Sequence, residues 1–294
     1  MAAHAFSFQE RAISPWAEMG AYEALWDQDG VWFNSLAEKF AAHPGSLPSD
    51  FVLDSQIREL YANKTLSILK RAGIDRFGVR INGAGEYPLQ LRNAEHPIEM
   101  LYYQGNWDLV ETRCIAIVGT RNPSPAGIKT TAKIAARLSD DGFTVVSGLA
   151  GGIDTTAHGA AIQRGRPTIA VIGMPLSQPY PKENAGLQRF IAKENLLISQ
   201  VPVCRYQRLH YKVKPRFFPE RNVTMSALTE ATIIVEAGNT SGTLIQARAA
   251  LKQGRKLLIL ESCFKNDALT WPSYYEKRGA VRVKNYHDIA RHLA

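Results

Sequence analysis

The chain has 294 residues, 45% of them hydrophobic and 21% charged, the proportions of a folded protein and not of a disordered, collagen-like or coiled-coil one. One core usually takes about 100–150 residues, so two domains are expected. The net charge of +8 is uneven: residues 1–110 hold 9 Lys+Arg against 14 Asp+Glu, a net of −5, leaving 26 against 13, a net of +13, for residues 111–294.

In chain order, the start MAAHAFSFQERAISPW has no basic region followed by an apolar run, so no secretory signal is expected. Pro15 then precedes the helical run WAEMGAYEALW, and VWFNSLAEKFAAH follows an Asp-Gln-Asp-Gly break. Residues 43–48 (HPGSLP) read as a loop. From Asp54 to Ala72, apolar Ile57, Leu60, Tyr61, Leu66, Ile68 and Leu69 recur at helical spacing, with Gly73 as the stop. Residues 1–73 are therefore expected to form a small acidic helical domain. Its aromatics Trp16, Tyr22, Trp26, Trp32 and Phe33 should be core. Residues 74–112 read as a connector with one short strand, FGVRI, and prolines that disfavour helix interiors.

From 113 to 294 the pattern alternates. The apolar runs CIAIVG, FTVVSG, TIAVIG, LLISQ, ATIIVEA and KLLIL are strands. Helices fall between them near 126–139, 154–164, 183–193, 220–228 and 241–252. Apolar strands alternating with helices of this length predict an α/β fold with an extended Rossmann-like, doubly wound and mainly parallel sheet. No stretch approaches the roughly 18 uncharged apolar residues of a membrane span. The three cysteines, Cys114, Cys204 and Cys263, are far apart with no CxxC pair, so neither a disulfide framework nor a zinc site is expected and a reducing, cytoplasmic compartment is.

Ligands of such sheets bind beyond the carboxyl ends of the strands, where glycine-rich loops enter helix N-termini. Four loops qualify: Gly119–Pro123, Ser147–Asp154, Gly173–Lys182 and Glu236–Thr243. They offer Thr120, Arg121, Ser147, Gly148, Lys182, Ser241 and Gly242 as candidate contacts to a phosphate-bearing ligand. No GxxxxGK[ST] or G-x-G-x-x-G is present, which argues against a Walker-type NTPase and against dinucleotide binding, so no cofactor is expected. The fixed guanidinium fork of Arg121 in such a loop suits phosphate.

The basic half points to a polyanion. Residues 205–221 sharpen this, because Arg205, Arg208, Lys212, Lys214, Arg216 and Arg221 alternate with Tyr206, Tyr211, Phe217 and Phe218. Cations that track a backbone and aromatics that stack unpaired bases suit single-stranded nucleic acid. A solvated basic loop with its aromatics in the core is the alternative. Asp154 and His158, four apart on one helix, could form an acid–base pair, or could be a helix-dipole partner and a structural histidine. Glu236 is equally open between chemistry and neutralising an arginine.

With these residues on the page, the chain resembles the DNA processing protein A family (DprA, also called Smf). The matching series includes Tyr87-Pro88, Leu101–Asn106, Ile115–Arg121, Val145–Asp154, Ala157-His158, Thr168–Val171, Tyr180-Pro181, Phe218–Asn222, Val235–Ala237, Ser241–Leu244 and Gly254-Arg255. The resemblance implies a homodimer that binds single-stranded DNA without hydrolysing it, with a RecA-type recombinase as a further partner. Carried over, a phosphate contact falls at Arg121 and a base-stacking aromatic at Phe218. Lys214, Arg216 and Arg221 become basic partners, and Asn222 completes the set. Val223 stands where the family commonly has Arg, Met174-Pro175 and Gln200 also depart from its pattern, and no C-terminal winged helix is expected. Two rival functions are a nucleotide-phosphate hydrolase or transferase, and a DNA-sensing regulatory or antitoxin component docking through the acidic helices.

Overall fold

The computed structural model of the protein describes residues 13–294. The first twelve residues of the expected helical domain, with most of the stretch read as lacking a secretory signal, lie outside the described residues.

The described chain opens with α1 (Pro15–Trp26), α2 (Phe33–Ala41), α3 (Pro48–Phe51) and α4 (Ser55–Arg71). Ser14 Oγ accepts the Ala17 N–H and Pro15 sits in the first turn of α1, so an otherwise orphaned donor is satisfied and φ is preset. α1 is buried from Glu18 to Trp26 and packs on α4. Tyr22, Trp26 and Phe33 are core as expected, and Trp32 is half-buried. Trp16 departs from the expectation: it is 38% exposed, because it lies in the first turn, ahead of the buried stretch.

Next come β1 (Gly78–Ile81), β2 (Met100–Gly105), β3 (Cys114–Val118), α5 (Pro125–Asp140), β4 (Thr144–Ser147), α6 (Ile153–Gln163), β5 (Thr168–Ile172), α7 (Ala185–Glu194) and β6 (Leu196–Ser199). Then follow α8 (Val203–Arg208), α9 (Phe217–Ala227), β7 (Ala231–Ile234), α10 (Thr243–Lys252), β8 (Lys256–Leu260), α11 (Glu261–Phe264), α12 (Trp271–Glu276), β9 (Val281–Val283) and α13 (Tyr286–Leu293).

All nine strands join one sheet in the order β1-β2-β6-β5-β4-β3-β7-β8-β9. From β6 to β9 every neighbouring pair is parallel, while β1–β2 and β2–β6 are antiparallel. β3 to β7 are buried at every residue, which is why they read as unbroken apolar runs. The expected α/β sheet is therefore present, but longer. β2, read as connector, is a strand because Tyr102 to Gly105 pair with Ser199 to Leu196; β9 is three residues on the opposite edge. Both depend on a neighbour and not on a pattern of their own.

From β3 the chain steps through β4, β5 and β6 on one side, and from β7 through β8 and β9 on the other. The reversal puts the crevice of a doubly wound sheet between the carboxyl ends of β3 and β7.

The N-terminal helices are joined to the sheet by a buried carboxylate. Glu23 accepts the N–H groups of Val203 (2.7 Å) and Cys204 (2.8 Å) and the Tyr102 hydroxyl. Beside it, Phe217 packs among Trp26, Trp32, Phe33 and Tyr206, with ring centroids 4.8–6.3 Å apart.

Candidate functional site

The loops after β3 and β7 leave the sheet zipped together. Thr120 N–H donates to the Glu236 carbonyl at 2.7 Å and Val235 N–H to that of Val118 at 3.2 Å. Three helices start at this edge, and two of their N-termini already hold a carboxylate of the chain itself. Glu236 accepts from the N–H and Oγ of Ser124, the N-cap of α5, at 3.1 and 3.0 Å. Asp154, in the first turn of α6, accepts the loop N–H groups of Gly148 and Ala150 at 3.1 and 3.4 Å. Each carboxylate offsets the positive end of its helix. α10 has no such acid, only the Ser241 hydroxyl accepting the Thr243 N–H at 3.2 Å. The N–H groups of Arg121, Gly238, Thr240 and Gly242 make no hydrogen bond among the described residues. The α10 end is thus open to an external anion.

Beneath it lies Arg221, 6% exposed. Its Nη1 donates to the carbonyls of Gly148 (2.5 Å) and Val171 (2.7 Å), and its Nε to Asn222 Oδ1 (2.9 Å). Asn222 Nδ2 in turn donates to the Gly242 carbonyl at 2.9 Å. One guanidinium thereby ties the ends of β4 and β5 to the entrance of α10. Burial lowers its pKa to about 10, with Asp154 pulling the other way and Arg121 adding to the fall, so it stays charged at neutral pH. Nη2 makes no hydrogen bond among the described residues and leaves two donors of the fork unsatisfied.

The glycines were expected to let a phosphate approach the backbone. Two of them instead admit the protein's own side chains. A Cβ at Gly148 would sit 2.0 Å from Arg221 Nη1, and one at Gly173 would sit 2.6 Å from the Phe218 ring.

Phe217 and Phe218 are adjacent in α9 and face apart. Phe217 is fully buried. Phe218 is half-buried, 5.4 Å from the Tyr180 ring and 6.0 Å from the Arg221 guanidinium. The Arg121 guanidinium lies 6.0 Å from the Tyr180 ring and 5.9 Å from Phe218. Phe218 and Arg121 therefore line a cleft of about 370 Å³, with the Tyr180 ring beside both. Tyr180 precedes a cis-proline, Pro181.

Against known proteins, residues 79–294 match the family described as DNA recombination-mediator protein A. The chain belongs to this family. Its DprA relative from Bacillus subtilis is 31% identical over 245 residues, 82% of this chain and 79% of the relative. That from Streptococcus pneumoniae is 34% identical over 204 residues, 69% and 70% of the two chains. The X-ray structure of DNA processing protein A from Streptococcus pneumoniae superposes with a TM-score of 0.73 at 26% identity, covering 96% of this chain and 98% of that one. The Helicobacter pylori DprA structure, described by its single-stranded DNA binding mode, gives 0.61 at 27% identity over 74% and 95%.

On this DprA framework the candidate residues separate. Thr120, Arg121, Phe218, Arg221, Asn222, Ser241 and Gly242 line the one cleft. Ser147 and Gly148 do not: Ser147 is fully buried with its hydroxyl on the Ile117 carbonyl at 2.7 Å, and Gly148 is buried under Arg221. Lys182 is exposed on the turn after Pro181. Lys214 and Arg216 face the N-terminal side, with Lys214 Nζ 4.5 Å over Tyr206 and the Arg216 guanidinium 4.7 Å over Trp32. The basic run is therefore split between two faces, since the start of α9 turns Lys214 and Arg216 toward the aromatic helices and Arg221 toward the cleft. Gly238, Thr240 and Tyr180 complete the site although no candidate list contained them. Tyr180 carried a usable signal, an aromatic next to Lys182 in a loop at the right sheet edge.

Each of the three candidate catalytic groups has a hydrogen-bond partner, although His158 Nε2 is buried without one among the described residues. Glu236 and Asp154 hold loops, so Glu236 answers a helix N-terminus and not an arginine. Burial raises the Asp154 pKa, against the opposing pull of Arg221. His158 is fully buried, with Nδ1 2.7 Å from Thr168 Oγ1, whose proton goes to the Val145 carbonyl. Burial, reinforced by Arg221, lowers its pKa to about 3, so it is neutral at pH 7. No helix among the described residues is long and apolar enough to cross a membrane.

Proposed function

We propose that this DprA-family protein binds single-stranded DNA in the switch-point cleft and performs no chemistry on it. The observation that carries the reading is the rim itself: Arg121 within 6.0 Å of both the Tyr180 and Phe218 rings, above an α10 terminus with free N–H groups. A phosphate on Arg121 and those N–H groups leaves its base beside Phe218 and Tyr180, and only an unpaired base offers a free face for stacking. The engagement of Asp154, His158 and Glu236 in hydrogen bonds supports a binding role over hydrolysis.

A homodimer and a RecA-type recombinase partner extend the reading, and family membership is their support. A cytoplasmic site of action fits three buried, unpaired cysteines. The test is a titration with single-stranded and duplex DNA at several salt concentrations. Single strands bind more tightly, with log K falling against log salt at a slope near about −3 for four or five phosphate contacts. Equal affinity for duplex, a flat salt response, or nucleotide turnover that a folded His158→Gln variant loses would sink it.

A further inference from the structure

A second cavity lies apart from the cleft. About 850 Å³ lies at the outer edge of the sheet, between the chain entering β1, strand β2 and one face of α7. Its charged wall holds Arg76, Arg189 and Lys193 against one carboxylate, Asp75. Arg76 and Arg189 are exposed and form no ion pair among the described residues, whereas Lys193 meets Glu194 at 2.8 Å. Phe77 and Tyr103 are both half-buried in the wall; Tyr103 already carries the Arg80 guanidinium at 4.6 Å and packs on Trp107 at 4.7 Å, so Phe77 supplies the aromatic face.

Two polar groups in the wall lack partners. Gln188 is 5% exposed; its Oε1 has no hydrogen bond and its Nε2 reaches only the Leu176 carbonyl at 3.5 Å. Ser177 Oγ is buried without a partner as well. Buried polar atoms are normally paired, and both of these residues stand in the cavity wall. Unpaired cations, an aromatic face and unsatisfied polar atoms are the elements that hold a nucleotide's phosphate, base face and base edge.

The cavity and the cleft are joined by one loop. Leu176, Ser177 and Pro179 line the cavity, and Tyr180, the next residue, packs against Phe218 beside the cleft, the two rings tilted by 44°. Ser177 and Tyr180 are three peptide links apart, at most about 11 Å, and exposed Lys182 follows on the same loop. We infer that the cavity between α7 and β1–β2 is a second nucleotide subsite, which holds the continuation of the DNA strand leaving the Arg121–Phe218 cleft. This rests on the single-stranded DNA reading above. It extends the footprint from the β3–β7 crevice around the loop after β5 to the β1–β2 edge of the sheet.

The experiment is fluorescence anisotropy with oligothymidylates of increasing length on wild type, Arg121→Ala and the surface double variant Arg189→Ala/Lys193→Ala. The double variant binds the shortest oligomers as wild type does, and loses about tenfold on the longer ones. Its salt slope on long oligomers falls by roughly 1.4, two phosphates at about 0.7 each. Arg121→Ala weakens every length. If the double variant matches wild type at all lengths while Arg121→Ala is weak, the second subsite is refuted and the cleft stands. An equal loss at all lengths also refutes it, since the cations then act only as a general field. If wild type binds no oligomer, both readings fall. As an independent check, 5-iodouracil beyond the first few nucleotides photocrosslinks to the peptides carrying Phe77 or Tyr103; crosslinks confined to Tyr180 and Phe218 would overturn the assignment.

Discussion

Glu23, buried between the N-terminal helices and the sheet, and Arg221, buried beneath the cleft, are completed differently. Glu23 accepts two backbone N–H groups and a tyrosine hydroxyl. Burial raises its pKa against these lowering bonds. Arg221 uses Nη1 and Nε on the chain itself, leaves Nη2 unengaged, and has a like charge, Arg121, close enough to lower its pKa. A buried charge with its hydrogen bonds closed acts as a joint between elements. One with donors outstanding and a repelling neighbour is a joint that an anion completes.

Protonation separates the two regions most strongly. Burial and the Arg221 charge hold the His158 pKa down at about 3 in the fold, against an ordinary value of 6.5. The unfolded chain therefore binds the extra proton between those values. The stability this contributes is present above about pH 6.5 and is lost as pH falls toward 3, by about 4–5 kcal/mol in all. Glu23 has the opposite sign: its raised pKa favours the fold when protonated, so its contribution declines as pH rises above the ordinary carboxylate range. Urea midpoints from pH 7 down to 4 should show a shallower acid loss in His158→Gln than in wild type, and a steeper one in Glu23→Gln. Parallel curves for all three proteins would remove the distinction.

Next in size is Glu23→Leu, which leaves two buried N–H groups and a hydroxyl without an acceptor at about 1–3 kcal/mol each. Melting should fall by roughly 10 °C, with DNA affinity unchanged wherever the variant is folded. A variant that melts normally but binds poorly would mean the Glu23 joint belongs to the DNA site.

Arg121→Ala should do the reverse. A charge-assisted contact contributes about 1.5–3 kcal/mol, so binding weakens about ten- to a hundredfold and the salt slope flattens by roughly 0.7, while melting is unmoved. Calorimetry and salt titration on one preparation check both halves.

The last contrast separates two neighbours. Phe218→Ala should lower affinity by about 1–3 kcal/mol with the salt slope intact. Phe217→Ala should instead melt early, by the roughly 3–5 kcal/mol of an emptied aromatic site. Early melting in Phe218→Ala with normal binding would return that ring to the core.

Much of this architecture was legible in local pattern. The apolar runs of β3 to β7 are buried on both faces, so the parallel sheet declares itself residue by residue, and the glycine-rich loops fall where those strands end. β2 and β9 were illegible because their pairing partners, β6 and β8, lie far away in sequence and supply what their own residues do not. The site was legible as a set of loops and as Arg121 and Phe218. It was not legible as a division of labour: Ser147, Gly148, Lys214 and Arg216 have the same local credentials as the residues that line the cleft.

What the sequence by itself determined is therefore the element types and the sheet edge on which the glycine-rich loops converge. Tertiary structure decided which side chains are left free to act. Successive residues in α9 point about 100° apart, so either Phe217 or Phe218 can face the core, not both. The choice falls on Phe217 because Trp26, Trp32 and Phe33, from the other end of the chain, close around that side of the helix. Phe218 is left at the rim because Gly173 has no Cβ to displace it. No pattern within α9 records either fact, since both depend on atoms brought there by the rest of the fold.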